Sequence, residues 1–407
     1  MIILAVETSC DETAVALLEA SGKLSDPKFK IIKSLISSQI AIHAPFGGVV
    51  PNLAKREHTK NLPILLKKVL GNPKSEIRNS KQIQNQKFKK SSIRNTIYDI
   101  RDIDLIAVTV GPGLEPALWV GVEFAKDLAK KWKKPLIGVN HLEGHLYSFL
   151  LSQKTGGIRY TSYGIQSLFP AIGLIVSGGH TILVLMKNLK EYKKLGETLD
   201  DAVGESFDKV ARILNLPYPG GPEIERLSKE GNSNAIKFPS PMIDKKNYNF
   251  SYSGLKTSVL YYLRDANQQI GDNNINRNNP WKSDSFKTSN KLKKDIAASF
   301  QKAAFLPLVK KAIRAVKEYK AKSIMIGGGV AANKELARML KKGVKVEGLG
   351  VGVIVPPLKY CLDNATMIAV AGYINKLKSP SSQRSMGTTA DRRNKKYKIE
   401  ANGNLNL

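Results

Sequence analysis

Along this chain a short β-rich run repeatedly stops at a tight turn of small residues and gives way to a helical pattern. That recurrence limits the fold more than any other feature. Residues 2–8 end at ETSCDET, and residues 104–110 end at GPG before a helix. Residues 172–177 end at SGGHT, and residues 323–326 end at GGGVAAN before the helical pattern NKELARMLKKG. The alternation predicts an α/β protein, and two similar β-starts about 170 residues apart predict a duplicated, two-lobed architecture. In such sheets ligands gather at the carboxyl ends of the strands, so chemistry is expected at turns facing a cleft between the lobes.

At 407 residues the chain is long enough for two or three domains and a core that needs no disulfide or metal staple. Its two cysteines, Cys10 and Cys361, exclude a disulfide framework and a four-thiolate zinc site, and they fit a reducing, cytoplasmic setting. No basic leader or long apolar run is present, so neither a signal peptide nor a membrane span is expected. Sixty-four Lys and Arg against 34 Asp and Glu give a net charge of +30, which points to an anionic partner. Segments 74–97, 266–294 and 376–407 together hold +16 of it. That is either a solvated basic surface or a nucleic-acid footprint whose phosphate contacts make binding salt-dependent.

Composition also sets the boundaries. Stretches rich in Asn, Gln, Lys and Ser cannot bury enough surface to order themselves and are expected as surface insertions. The N-terminal lobe is placed at 1–140 with an insertion at 74–100, and the C-terminal lobe at 141–363 with insertions at 154–169 and 264–292. A closing helix at 364–379 and a flexible basic tail at 380–407 complete the chain.

In GVNHLEGH, His141 and His145 are four apart, which on a helix puts two imidazoles on one face. They suit one metal ion, or they are polar residues at a helix start. Glu143 is at the wrong offset for the H-E-x-x-H peptidase pattern, and Asp363, following a strand-like run, is the leading carboxylate to close a metal site. SGGHT, YPGGP and GGGVAAN are glycine turns where backbone N–H groups can approach a phosphate or ribose, yet none is a P-loop. Asp208 either bonds a ribose hydroxyl or compensates a helix N-terminus, and Asn333 either contacts ligand or caps the next helix. Glu7, Asp11 and Glu12 form an acidic cluster that needs a cation, donor or substrate amine to offset its repulsion. His43 and His58 bracket what reads as a surface loop followed by a helix, and His180 supports the SGGH turn.

The motifs ETSCDET, GGVVP, GPGL, GVNHLEGH, VSGGHT, GESFDKVA, YPGGP, SYSGLKT, IGGGVAAN and DNATMIA occur in this order. In this the chain closely resembles the tRNA N(6)-adenosine threonylcarbamoyltransferases. The resemblance covers residues 1–72, 103–150, 170–263 and 293–375; Glu115-Pro116 and Asn52 depart from the family's usual residues. It implies an actin-like ATPase (ASKHA) fold of two ribonuclease-H-like lobes around a central cleft. It also implies transfer of threonylcarbamoyl from threonylcarbamoyl-AMP to the N6 amine of the adenine beside the anticodon of ANN-reading tRNAs. On this chain the resemblance puts metal ligands at His141, His145 and Asp363. Substrate-binding positions fall at Ile175, Val176, Ser177, Gly178, Gly179, Asp208, Gly221 and Asn333. The metal that the resemblance implies is iron, with zinc the other option, one ion per subunit. Implied partners are tRNA and, in bacteria, a shorter paralogue of the same fold and a P-loop ATPase. Because AMP is a good leaving group, no covalent nucleophile is needed, and Asp11 or Glu12 could accept the amine proton. The competing readings are an ASKHA-type ATPase or kinase, a metallopeptidase, and a non-catalytic scaffold.

Overall fold

The computed structural model describes residues 1–71, 99–151, 164–269, 286, 288–378 and 399–407. Ten strands make two five-stranded sheets. The first contains β1 (Ile2–Glu7), β2 (Glu12–Ser21), β3 (Lys28–Ser38), β4 (Leu105–Gly111) and β5 (Leu136–Asn140) in the order β3-β2-β1-β4-β5. The second contains β6 (Ala171–Val176), β7 (Thr181–Met186), β8 (Tyr192–Glu197), β9 (Ser323–Gly327) and β10 (Gly352–Ile354) in the order β10-β9-β6-β7-β8. In both sheets the first three strands form an antiparallel meander and the last two join in parallel. The sheets therefore share one topology, which is the duplication expected from the recurring β-starts.

Nine helices of seven or more residues accompany them among the described residues: α1 (Pro51–Leu70), α2 (Glu115–Trp132), α3 (His141–Tyr147), α4 (Val203–Ile213), α5 (Gly220–Ser228), α6 (Ser253–Gln269), α7 (Asn290–Tyr319), α8 (Lys334–Val346) and α9 (Ala365–Lys378). Strand β1 is apolar at consecutive positions because both its faces are covered. Leu4 and Val6 join the core of α1 and α2, while Ile3 and Ala5 join that of α3 and α9. The second sheet divides likewise, with Ile172, Leu174 and Val176 facing the core of α4 and α7. Ala171 and Ile175 enter the core that holds α3 and α9. That shared layer fixes α3 between the lobes, and α9 returns to the N-terminal sheet to seal it.

Several expected boundaries shift. Residues 264–269 continue α6 and residues 290–292 open α7, so the 264–292 insertion is shorter than its composition suggested. Ile165, Leu168 and Phe169 are buried, which takes 164–169 out of the 154–169 insertion and into the core. The rest of those two segments, apart from residues 286, 288 and 289, and residues 74–98 of the first insertion lie outside the described residues. The tail is not free at its end: residues 399–407 lie against β4 and β5, with Asn402 N donating to Val110 O at 2.7 Å. Alternate inward residues, Ile399 and Ala401, pack on the N-terminal core, which a composition argument over 380–407 could not register.

Candidate metal centre and nucleotide cleft

Helix α3 begins where the Asn140 side chain accepts a hydrogen bond from Leu142 N at 2.8 Å, an N-cap that fixes His141 in the first turn. One turn on, His145 presents its ring 4.6 Å from that of His141, centroid to centroid. The third group comes from far along the chain. Asn364 caps α9 by accepting from Met367 N at 3.0 Å and so leaves Asp363 just outside the helix, facing α3. Asp363 Oδ1 lies 3.4 Å from His141 Nε2 and 3.1 Å from His145 Nε2. Donor atoms of these three residues all lie within 4.8 Å of one another.

This set fits a divalent ion on two counts. Both ring nitrogens of His145 are buried without a well-formed hydrogen bond, a costly arrangement unless something else binds them. Two imidazoles and a carboxylate are also the donor chemistry of an open catalytic metal site. A further carboxylate orients the first ligand: His141 Nδ1 is 3.3 Å from Glu7 Oε2 and 3.1 Å from Ser9 Oγ, which leaves Nε2 directed at Asp363. Glu7 is itself fully buried and held by Ser9 N at 2.6 Å and by the Thr109 hydroxyl. Sequence reasoning placed Glu7 only in an acidic cluster. The available signal was a carboxylate ending a wholly apolar strand, where it must have buried partners.

Charge follows from this packing. Burial works against the His141 imidazolium, but Asp363 and Glu7 outweigh it and lift the group to about 9. Burial and the neighbouring His141 hold His145 below its ordinary value. Asp363, although buried, is held well below the usual carboxylate range by the two imidazoles. His180 is pushed down to about 4 by burial and by its two histidine neighbours, so the SGGH turn faces the His141–His145–Asp363 set with a neutral ring.

Beside this centre lie the glycine turns. Gly178 and Gly179 have open space where a Cβ would be, and so does Gly221. The turn at Gly328 crosses the end of β6, where a Cβ would meet Val176 O at 2.3 Å. Side chains of Ile175 and Val176 are buried, so only their backbone can serve a ligand. Asp208 accepts from Gly220 N at 2.8 Å, and burial carries its carboxyl up to about 6 against the pull of the Gly220 and Gly221 amides. Asn333 takes the capping role: Oδ1 accepts from Glu335 N at 2.9 Å and Nδ2 donates to Gln301 Oε1 at 2.7 Å. One lone pair and one hydrogen of that amide are left for a ligand.

From the opposite lobe, Asp11 and Glu12 face this wall closely enough for Asp11 to raise both Asp208 and Tyr218. Burial and the charges of Asp11 and Asp363 push Glu12 up to about 10, so it carries a proton at neutral pH. Their loop rests on a buried polar cluster. His58 Nε2 donates to Cys10 O at 3.0 Å, His58 Nδ1 meets the Thr13 hydroxyl at 2.8 Å, and His43 Nε2 bonds Gln39 Oε1 at 3.1 Å. His43 and His58 are thus fully buried supports, not members of a surface loop. The Arg212 guanidinium donates to Gly47 O and ties the lobes together across the cleft.

Glu143 has a different task. Its carboxylate accepts from Tyr192 Oη at 2.9 Å, Asn375 Nδ2 at 2.6 Å and Lys378 Nζ at 3.2 Å, clasping α3 to α9 and β8. A carboxylate so occupied on the far face of α3 cannot serve as the base of a metallopeptidase. The close approach of β9 adds a test: a Cβ at Gly327 would sit 2.5 Å from His145 O, a backbone atom that must then move. Gly327→Ala should cost about 1–3 kcal/mol of stability in urea unfolding and weaken metal binding together with it.

A family model described as tRNA N6-adenosine threonylcarbamoyltransferase matches residues 30–84 and 87–370. The chain belongs to this family. A tRNA N6-adenosine threonylcarbamoyltransferase of Thermosipho africanus is 45% identical over 373 residues, covering 92% of this chain and 94% of that one. The Bacillus subtilis threonylcarbamoyltransferase is 40% identical, with 92% and 90% covered. Among solved structures, HypF of T. kodakarensis superposes with a TM-score of 0.51 at 14% identity, over 92% of this chain and 48% of HypF. That likeness concerns the fold, which is the actin-like ATPase fold that the two matching sheets build.

Proposed function

We propose that this threonylcarbamoyltransferase moves the threonylcarbamoyl group from threonylcarbamoyl-AMP to the N6 amine of the adenine beside the anticodon in ANN-reading tRNAs. That it is a tRNA-modifying transferase follows from its family. The observation that carries the finer reading is the meeting, in one cleft, of the His141–His145–Asp363 donor set, the open SGG and YPGG turns, and the Asp11–Glu12 loop. His141, His145 and Asp363 would hold one divalent ion, iron or zinc, which when bound would supply Lewis-acid chemistry.

The chain's own groups do the rest. Backbone amides of Gly178 and Gly179 cradle the phosphate, that of Ser177 being engaged by His180 O, and Asp208 takes the ribose. Gly221 admits the nucleotide without a Cβ in its way, and Asn333 lends its remaining hydrogen-bond capacity. Positioned there, the carbamoyl carbon is attacked by N6, the bond to the phosphate oxygen breaks, and AMP leaves with its electron pair. Asp11 accepts the N6 proton, because Glu12 already carries one. The adenine reaches the cleft by unstacking from the anticodon loop, and basic surface holds the surrounding phosphates.

A shorter paralogue and a P-loop ATPase belong to this reading as partners, and the cytoplasm as its setting. No helix among the described residues is long and apolar enough to cross a membrane. Purified chain, candidate partners, threonylcarbamoyl-AMP and tRNA should yield modified adenosine by mass spectrometry. Asp208→Ala should weaken AMP binding by calorimetry at least tenfold, roughly one lost charged hydrogen bond. An unmodified tRNA pool, with all components folded, would overturn the proposal.

A further inference from the structure

The last nine residues, IEANGNLNL, alternate apolar and polar, and the structure uses the alternation. Ile399, Ala401, Gly403, Leu405 and Leu407 are half-buried while the residues between them are exposed. Ile399 and Ala401 pack on the N-terminal core and Leu407 on the core shared by the lobes. Asn402 N donates to Val110 O at 2.7 Å, and Gly113 N donates to Gly403 O at 3.2 Å. The fit leaves no room at Gly111, where a Cβ would lie 1.9 Å from Asn402 O.

Two separate routes lead from this strap to His141. In the first, Asn140 Nδ2 donates to Asn406 O at 3.0 Å while its Oδ1 caps α3 through Leu142 N, so one amide joins the chain's end to the start of the metal-ligand helix. In the second, the strap holds Gly113, which abuts Ser9 so closely that a Cβ would meet Ser9 O at 2.5 Å. Leu114 N donates to Ser9 O at 2.8 Å, and Ser9 Oγ bonds His141 Nδ1 at 3.1 Å.

From this geometry we infer that residues 399–407 are a positioning strap for the metal centre, acting on His141 through Asn140 and Ser9. The inference rests on the metal reading given above. Groups outside a coordination sphere that orient its ligands typically change metal affinity by about 10–100-fold when removed. The strap holds two such groups at once.

The test is a zinc titration of the metal-free full chain against a chromophoric chelator, beside a chain ending at residue 398. Truncation should weaken zinc binding by about tenfold or more. A synthetic IEANGNLNL peptide added in trans should restore it, which general loss of stability would not allow. Asn140→Ser gives a second arm that does not depend on the truncated chain folding: serine can still cap α3 but cannot reach Asn406 O. It should weaken zinc binding severalfold with an unchanged circular dichroism spectrum. Parent-like zinc affinity in both variants, whatever happens to their melting temperatures, would overturn the strap and leave the metal reading standing. A parent chain that takes up no zinc or iron would overturn the metal reading itself.

Discussion

Asp363→Ala is expected to lose stoichiometric metal and to transfer threonylcarbamoyl roughly 10²- to 10⁴-fold more slowly, the several kcal/mol that a Lewis acid supplies to developing charge. Its Oδ1 lies 3.4 Å and 3.1 Å from the two Nε2 atoms, and its carboxylate completes the three-residue donor set. Because Asn364 and not Asp363 caps that helix, the variant should keep its circular dichroism spectrum. Glu7→Gln separates ligation from orientation. The amide retains the volume of the buried carboxylate but offers His141 Nδ1 a weaker, neutral acceptor, so metal affinity should fall by about 10–100-fold without being abolished. Metal content by mass spectrometry and single-turnover transfer rates check both. Full metal and full rate in Asp363→Ala would remove the centre from the mechanism.

How much of this was legible in the sequence depends on the range over which each residue finds its partners. The His141–His145 spacing is local and survives in any helix, so that pair could be read directly; Asp363 could be nominated but not placed, since α9 must first fold back onto α3. Glu7 escaped because its partners are 102 and 134 positions away, at Thr109 and His141. His58 escaped for the same reason: a histidine eight residues into a helical pattern looks exposed until Thr13 and Gln39 are seen beside it. The strap is the opposite case. Its period-two alternation was present in nine residues but was averaged with a basic, polar stretch before it, and composition over the longer window predicted a tail. Insertion limits failed at the ends for a related reason. Polar residues at the start of α7 and Arg264 and Asp265 of α6 occupy exposed or partly exposed helix positions, where composition does not distinguish helix from loop.

The two acidic residues of the N-terminal loop should behave oppositely on amidation. Glu12 is half-buried, near Asp11 and Asp363, and its carboxyl is raised from 4.5 to about 10. A carboxyl with its folded value raised stabilises the fold fully below its unfolded value, and that stabilisation is lost as pH rises from about 4.5 toward about 10. Glu12→Gln imitates the protonated form, so it should flatten the fall in urea-unfolding stability between pH 6 and pH 9 and leave the variant more stable than the parent at the upper end. Its transfer rate at neutral pH should change only severalfold, because a group already protonated is not the proton acceptor. Asp11→Asn removes the proposed acceptor and should cost roughly 10²- to 10⁴-fold in single-turnover rate, the usual range for a positioned base. Should Glu12→Gln instead be the inactive variant while Asp11→Asn transfers normally, the proton would go to Glu12. The charge of Asp11 would then serve only to raise its neighbour.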